Sequence, residues 1–266
     1  MPLSLDKTQL RLAFSAAAPS YDRFAPLQRS VAQALLTTVD VGSLSGTLLD
    51  IGCGTGFLTG ELLALPACTA GKVSVIALDI ALTMLQTARR KLSGQTQVYY
   101  ICADAEALPL AGGSIDRVFS SLALQWCSRL DECLKDIRRV LKPGGQLTFS
   151  TFGAGTLQEL KAAWATVDDY SHVNDFYSEQ AIAGLLQQAG FRAISISSTS
   201  YRPCYGSVWA LMRELKGIGA HNVLAARNRQ VTGKNAMQAM VAAYQAACGD
   251  NAIAATFEVI TVTATR

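Results

Sequence analysis

Thr47-Leu48-Leu49-Asp50-Ile51-Gly52-Cys53-Gly54-Thr55-Gly56 is the stretch on which the fold turns. A short apolar run ends in glycines at every second position, and the residues from Phe57 to Leu65 then read as a helix. A glycine-rich turn between a strand and its helix lets a ligand come close to the backbone. The helix start adds free N–H groups. A dinucleotide site there requires Gly-x-Gly-x-x-Gly. Counted from Gly52 the sixth position is Phe57, so the pyrophosphate fingerprint fails, and a nicotinamide-dependent oxidoreductase is disfavoured.

Working outward, the strand–helix alternation continues. Val73 to Leu78 reads as a second strand, ends in Asp79 and leads into a helix around Met84-Leu85. A third, Val98 to Cys102, ends near Asp104. A fourth, Ile115 to Ser120, precedes a helix with Leu130, Cys133, Leu134, Ile137, Val140 and Leu141 on one face. Pro143-Gly144-Gly145 stops that helix, and Gln146 to Thr151 reads as the fifth strand. Ser178 is placed as an N-cap ahead of a stripe of Ile182, Leu185, Leu186 and Ala189, which Gly190 terminates. Ala193 to Ser198 and Thr256 to Ala264 read as the last two strands. At the other end, Leu27, Val31, Ala34 and Leu35 recur at helical spacing behind Pro26. Apolar strands alternating with helices predict an α/β fold: a mainly parallel seven-stranded sheet with helices on both faces. We read residues 1–266 as one domain, with N-terminal helices over 1–40 and a core over 42–200 and 255–266. Residues 203–250 form a helical lid before the last strand.

Composition narrows the class. With 50% apolar and 16% charged residues, the chain can bury one large core. Met1 to Lys7 lacks a basic region followed by an apolar one, and no run approaches the roughly 18 apolar residues of a membrane helix. A soluble, cytoplasmic protein with no membrane partner is expected. Seven cysteines, an odd number with no Cys-x-x-Cys pair, read as free buried thiols in a reducing compartment. The two histidines, His172 and His221, have no ligand spacing, so no metal site is expected. A net charge of +3 is too weak to imply nucleic acid. Its distribution says more: Arg202, Arg213, Lys216, Arg227, Arg229 and Lys234 face one acid, Glu214. The segment therefore carries about +5 and the remainder about −2.

Asp-x-Gly-x-Gly-x-Gly over residues 50–56 resembles motif I of the class I S-adenosylmethionine methyltransferases, whose fold is Rossmann-like. That cofactor has no phosphate, so its loop need not complete a phosphate nest. The resemblance implies a cofactor site at Asp50, Gly52, Cys53, Gly54, Gly56, Asp79, Ile80, Met84, Asp104 and Ala105. Asp79 stands where a carboxylate can accept both ribose hydroxyl protons, and Asp104 where the family recognises the adenine amino group. Asp79-Ile80-Ala81-Leu82-Thr83-Met84-Leu85 is similar to the family's Asp-x-Ser-x-x-Met-Leu. Ala81 replaces a capping serine, at a cost of about 1 kcal/mol.

A closer resemblance runs along nearly the whole chain, to the malonyl-[acyl-carrier-protein] O-methyltransferases of biotin synthesis. It is carried by Ala13-Phe14-Ser15-Ala16-Ala17 with Tyr21 and Leu27-Gln28-Arg29, and by Ser121-Leu122-Ala123-Leu124-Gln125-Trp126-Cys127. Gly155-Thr156-Leu157-Gln158-Glu159-Leu160, with Trp164, Val167-Asp168, Asn174 and Phe176, adds to it. Leu215-Lys216-Gly217-Ile218-Gly219-Ala220 is the most specific match. The pattern departs just afterwards, at His221 to Arg227. The resemblance implies methyl transfer to the free carboxyl of a malonyl thioester on acyl carrier protein. A carboxylate is already ionised at pH 7, so no general base is needed. Tyr21, Trp126 and Arg213 are the candidates to hold it. Carrier proteins as a class are strongly acidic, so Arg202, Lys216, Arg227, Arg229 and Lys234 are candidates to dock one. Alternatives are methyl transfer to another small carboxylic acid or a quinone, or a non-catalytic cofactor-binding scaffold.

Overall fold

The computed structural model describes residues 5–40, 42, 44–220, 233–249 and 252–266. Helix α1 (Lys7–Ala17) is opened by Asp6, whose carboxylate accepts the backbone N–H of Thr8 and Gln9. Helix α2 (Pro26–Thr37) begins on the proline, where a missing N–H costs nothing. Its buried stripe is Leu27, Val31, Ala32 and Leu35; Ala34 faces solvent, and Ala32 takes the place expected for it.

The core follows as β1 (Gly46–Ile51), α3 (Phe57–Leu63), α4 (Pro66–Thr69), β2 (Val73–Asp79), α5 (Leu82–Lys91), β3 (Val98–Cys102), β4 (Ile115–Ser121), α6 (Leu130–Val140), β5 (Leu141–Phe152), α7 (Gln158–Ala165), α8 (Glu179–Gln188) and β6 (Arg192–Tyr201). The lid contributes β7 (Cys204–Tyr205), α9 (Val208–Gly217), α10 (Lys234–Cys248) and β8 (Ile253–Ala254), before β9 (Phe257–Thr265) returns to the sheet. The seven-stranded order is β3-β2-β1-β4-β5-β9-β6. The first five strands run parallel, and β9 inserts antiparallel between β5 and β6. Alternate residues of β1 feed opposite faces: Leu49 and Ile51 pack with Leu134 and Ile137 of α6, and Leu48 packs with Leu35 of α2 and Leu62 of α3. That alternation is why one strand needs helices on both sides.

Three local expectations change. Helix α6 ends at Val140, because Leu141 is extended and buried against the sheet. Pro143-Gly144-Gly145 is therefore not the helix stop but an irregularity in the β4–β5 pairing, which breaks after Ile115–Leu141 and resumes at Arg117–Gln146. The lid is not wholly helical: Cys204 and Tyr205 pair with Ala254 and Ile253 in a short antiparallel ribbon. Two beta-bonded residues per side leave no periodic signal. Of the seven free thiols, Cys53, Cys68, Cys127 and Cys133 are buried, while Cys248 is half-buried and Cys102 and Cys204 are exposed. The exposed pair lies on edges, at the end of β3 and in the ribbon. Among the described residues no helix is long and apolar enough to cross a membrane.

Candidate cofactor and methyl-transfer site

The three glycines of the loop serve three different purposes. After β1 the chain turns, and the N–H groups of Gly52 and Cys53 both donate to the carbonyl of Leu78 (2.7 and 3.0 Å). Gly52 has φ +71°, and a Cβ on it would stand 2.2 Å from the Ala123 methyl, so it admits the loop after β4. Gly54 has φ +55° and open space where its Cβ would be. Its N–H donates to Asp79 Oδ2 at 2.9 Å. Gly56 has φ +86°, and a Cβ there would press on Ala88 of α5 at 2.9 Å. Its role is helix packing, and it does not line the pocket.

That pocket opens at the C-terminal ends of β1, β2 and β4. Its walls include Gly52, Gly54, Asp79, Ile80, Met84, Asp104 and Ala105, together with Tyr21 and Trp126. Asp79 is 8% exposed, and its Oδ1 accepts the N–H of Ala81 at 2.8 Å. This bond organises the start of α5, where Ala81 offers no side-chain cap. Burial pushes the Asp79 carboxyl up to about 6, and the backbone N–H groups of Ala81, Gly54 and Ile80 limit the rise. Beyond the hydrogen bonds from Gly54 and Ala81, each carboxylate oxygen keeps acceptor capacity.

Asp50 and Cys53 are expected at this wall and stand elsewhere. Asp50 is buried beneath the loop, with Oδ2 accepting the Thr59 hydroxyl at 2.6 Å and Oδ1 unpartnered among the described residues. Burial pushes it up to about 7, against the Thr59 hydrogen bond, with the Asp79 charge adding to the rise. Sequence spacing puts the residue at the loop but does not set where its carboxylate points. Cys53 is buried too; its thiol packs with Ala77 and Leu85, and burial raises its pKa well above the ordinary thiol value.

Helix α1 closes over the opening. Leu10 and Phe14 line it, and Phe14 meets Trp126 edge-on, with centroids 5.5 Å apart. Lys7 pairs with Asp104 Oδ1 at 3.0 Å and Glu106 Oε1 at 2.8 Å. Burial pulls the Lys7 ammonium down, but the two carboxylates outweigh it and hold its pKa above the ordinary value. Tyr21 sits in a single 3-10 turn, Tyr21–Arg23. Its neighbour Asp22 accepts the Thr55 hydroxyl at 2.6 Å, pairs with Lys91, and takes the Arg29 guanidinium on its carbonyl. The glycine loop, α5 and α2 thus all fix that turn. Burial, with the Asp79 and Asp22 charges, pushes the Tyr21 phenol up, so it stays protonated and available as a donor. Lys7, Leu10 and Asp22 are absent from the sequence-derived site. The only local trace is a basic residue opening an amphipathic helix, and nothing in it identifies an acid 97 positions away.

Arg213 does not reach this pocket: it stands exposed on α9. The inward stripe of that helix is Val208 and Leu211, buried in the cluster with Met240 and Tyr244, and Arg213 lies off it. Arg202, Lys216 and Lys234 are exposed, and Arg227 and Arg229 lie outside the described residues, as does the His221 to Arg227 stretch. Among the described residues no group of three or more His, Cys, Asp or Glu could hold a metal ion. His172 bonds Asp168 at 2.8 Å and stacks on Trp164.

Residues 49–149 match the family described as "Methyltransferase domain". Solved structures share the architecture: a methyltransferase from Bacillus halodurans superposes with TM-score 0.62 at 20% identity, covering 89% of this chain and 98% of that one. A Haemonchus contortus phosphoethanolamine N-methyltransferase in complex with S-adenosyl-L-methionine gives 0.57 at 19% identity, over 95% of this chain and 57% of that one. The fold is that of a class I S-adenosylmethionine-dependent methyltransferase. The malonyl-[acyl-carrier protein] O-methyltransferase of Methylococcus capsulatus is 41% identical over 258 residues, covering 96% of this chain and 92% of that protein. The one from Nitrosospira multiformis is 38% identical over 273 residues, 96% of this chain and 88% of that protein. The biotin biosynthesis bifunctional protein BioHC of Cellvibrio japonicus is 40% identical, and the match spans 49% of its length. The chain belongs to the malonyl-[acyl-carrier protein] O-methyltransferase family.

The pocket fits its cofactor chemically. Gly54 leaves the wall open at its Cβ position, Asp79 offers a buried carboxylate with lone pairs to spare, and Ile80 and Met84 supply apolar surface.

Proposed function

We propose that this protein methylates the free carboxyl of a malonyl group carried as a thioester on acyl carrier protein, giving the methyl ester used in biotin synthesis. The observation that carries the reading is 41% identity along 92% of a malonyl-[acyl-carrier protein] O-methyltransferase. Bound S-adenosylmethionine supplies a methyl group on a sulfonium centre. Asp79 is placed to accept the ribose hydroxyls, Gly54 to let the ligand lie against the backbone, and Asp104 and Ala105 to border the adenine. Asp104 is already engaged by Lys7 through one oxygen, so α1 and the adenine end share this carboxylate.

The substrate carboxylate arrives ionised at pH 7 and gives up no proton, which agrees with a pocket that has no histidine in its walls. What the chain must contribute is alignment and exclusion of water. Phe14, Trp126 and Leu10 make the cover apolar, while the Tyr21 hydroxyl and the Trp126 indole N–H are donors that can orient a carboxylate without fully neutralising it. Mass spectrometry of malonyl-carrier protein incubated with enzyme and cofactor tests the reading. A single added methyl, removed by alkaline hydrolysis, is expected. Methylation of short free acids with the thioester untouched would overturn it.

A further inference from the structure

Helix α9 has two unlike sides. Val208 and Leu211 are fully buried, and Met212 and Leu215 pack on the same lid cluster. On the other side Trp209, Arg213 and Lys216 follow at i, i+4 and i+7, and all three are exposed. The Trp209 indole is 48% exposed, the largest aromatic surface the lid leaves uncovered among the described residues. Neither Arg213 nor Lys216 has an ion-pair partner among the described residues. The single acid of this helix is turned away from them: Glu214 accepts the Tyr205 hydroxyl at 2.8 Å. The result is an unopposed positive stripe with an aromatic at one end.

The other end of the stripe abuts the N-terminal segment that covers the cofactor pocket. Gly217 lies so close to Phe24 that a Cβ would stand 2.3 Å from its ring. Gly219, at φ +74°, has its Cβ position 3.1 Å from the Ala13 carbonyl and 3.2 Å from the Ala17 methyl. Ala13 and Ala17 belong to α1, and Phe24 directly follows the turn that holds Tyr21. The two glycines of Leu215 to Ala220 therefore weld the end of α9 to the segment that covers the pocket.

We propose that the Trp209–Arg213–Lys216 face of α9 is the seat of the acyl carrier protein, so that the carrier's thioester arm enters beside Tyr21. The inference rests on the proposed methyl transfer to a carrier-bound malonyl group. Charge complementarity selects the occupant: an acidic partner is attracted and oriented by an unopposed basic stripe, whereas a small free acid gains nothing from it. An exposed tryptophan flanked by arginine is the composition from which interface anchors are drawn. Seven residues of helix span about 10 Å, a length that one helix of a small partner can cover.

The test compares Trp209→Ala and the double substitution Arg213→Glu/Lys216→Glu with the wild type, on malonyl-carrier protein and on malonyl-coenzyme A. Cofactor affinity by calorimetry reports that the variants are folded, and fluorescence anisotropy reports carrier binding. The KM for the carrier substrate should rise about tenfold or more, with kcat and cofactor affinity unchanged, because about 1.4 kcal/mol corresponds to each decade. Rates on malonyl-coenzyme A should change by less than about twofold, and added salt should reproduce the charge-reversal phenotype in the wild type. An unchanged KM for the carrier substrate, or equal losses on both substrates, overturns the docking face. Should the wild type leave malonyl-carrier protein unmethylated, the proposed function falls. Carrier binding that the variants lose would then still support the seat, and binding that they keep would overturn it.

Discussion

Asp79→Asn separates the charge of this carboxyl from its shape. Burial at the end of β2 holds its pKa at about 6. A raised acid favours the protonated native state, so its stabilising contribution is complete below about pH 4 and is lost as the pH rises through about 6. At roughly 1.4 kcal/mol per pKa unit, the ionised carboxyl at pH 8 costs the ligand-free protein on the order of 3 kcal/mol. Asp50, pushed up to about 7, acts in the same direction. Asp22 and Asp116 are held below their ordinary range by Lys91 and Lys142, against the effect of burial. Their contribution disappears only in more acid solution. Stability in urea should therefore fall from about pH 5 to about pH 8 in the wild type, and fall less in the variant. The absolute stability is a poorer readout: the amide keeps one oxygen for the N–H of Ala81 or Gly54 but turns an NH2 toward the other, a mismatch of about 1–3 kcal/mol. Cofactor affinity should run the opposite way, since only the ionised carboxylate accepts two hydroxyl protons. With a pKa of about 6, about a tenth of the groups are ionised at pH 5 and about nine-tenths at pH 7, so calorimetry should find affinity rising about tenfold across that window. The variant should bind more weakly and show a much flatter profile, with Asp50 supplying what slope remains. An affinity level from pH 5 to pH 8 in the wild type, or a variant that keeps the full slope in both measurements, would refute the reasoning.

The loop glycines should separate by site: Gly52→Ala drives a methyl into Ala123 at a positive φ and should lower the melting temperature clearly. Gly54→Ala meets nothing within 4 Å and should cost about 1 kcal/mol of backbone strain while reducing cofactor affinity, both read by thermal melts with and without ligand. Lys7→Ala removes the pairs to Asp104 and Glu106, which are partly exposed and contribute little to stability. Melting should hardly change, whereas cofactor dissociation, followed by the stopped-flow change in intrinsic tryptophan fluorescence to which Trp126 in the pocket wall contributes, should accelerate; an unchanged rate would show that α1 does not restrain the ligand. Asp22→Asn should leave the fold intact, lower kcat more than cofactor affinity and leave the pH profile of binding in place, because Asp22 fixes the Tyr21 turn without lining the pocket. Equal losses in both would make it a purely structural contact.

Much of this architecture is set locally and can be read from the sequence. The alternation of Leu48, Leu49 and Ile51 across β1, the glycine spacing that excludes a pyrophosphate loop, the Ser178 cap with its bond to Ala181, and Gly190 at φ +85° all depend on neighbours within a few positions. Seven of the ten residues that the family resemblance implied, from one motif and two strand ends, line the pocket. Only the tertiary structure decided the remainder. Strand pairing is a contest between distant segments that share one apolar pattern, so nothing local says that β9 slips between β5 and β6. The direction of the Asp50 side chain depends on Thr59 beneath it, and the role of Gly56 on Ala88 of another helix. Lys7 reaches Asp104 only because α1 folds back across the sheet ends. The outward side of α9, and with it the exposure of Arg213, was fixed when Val208 and Leu211 took the lid core. Sequence periodicity marks which residues share a face, but burial elsewhere in the molecule chooses which face turns to water.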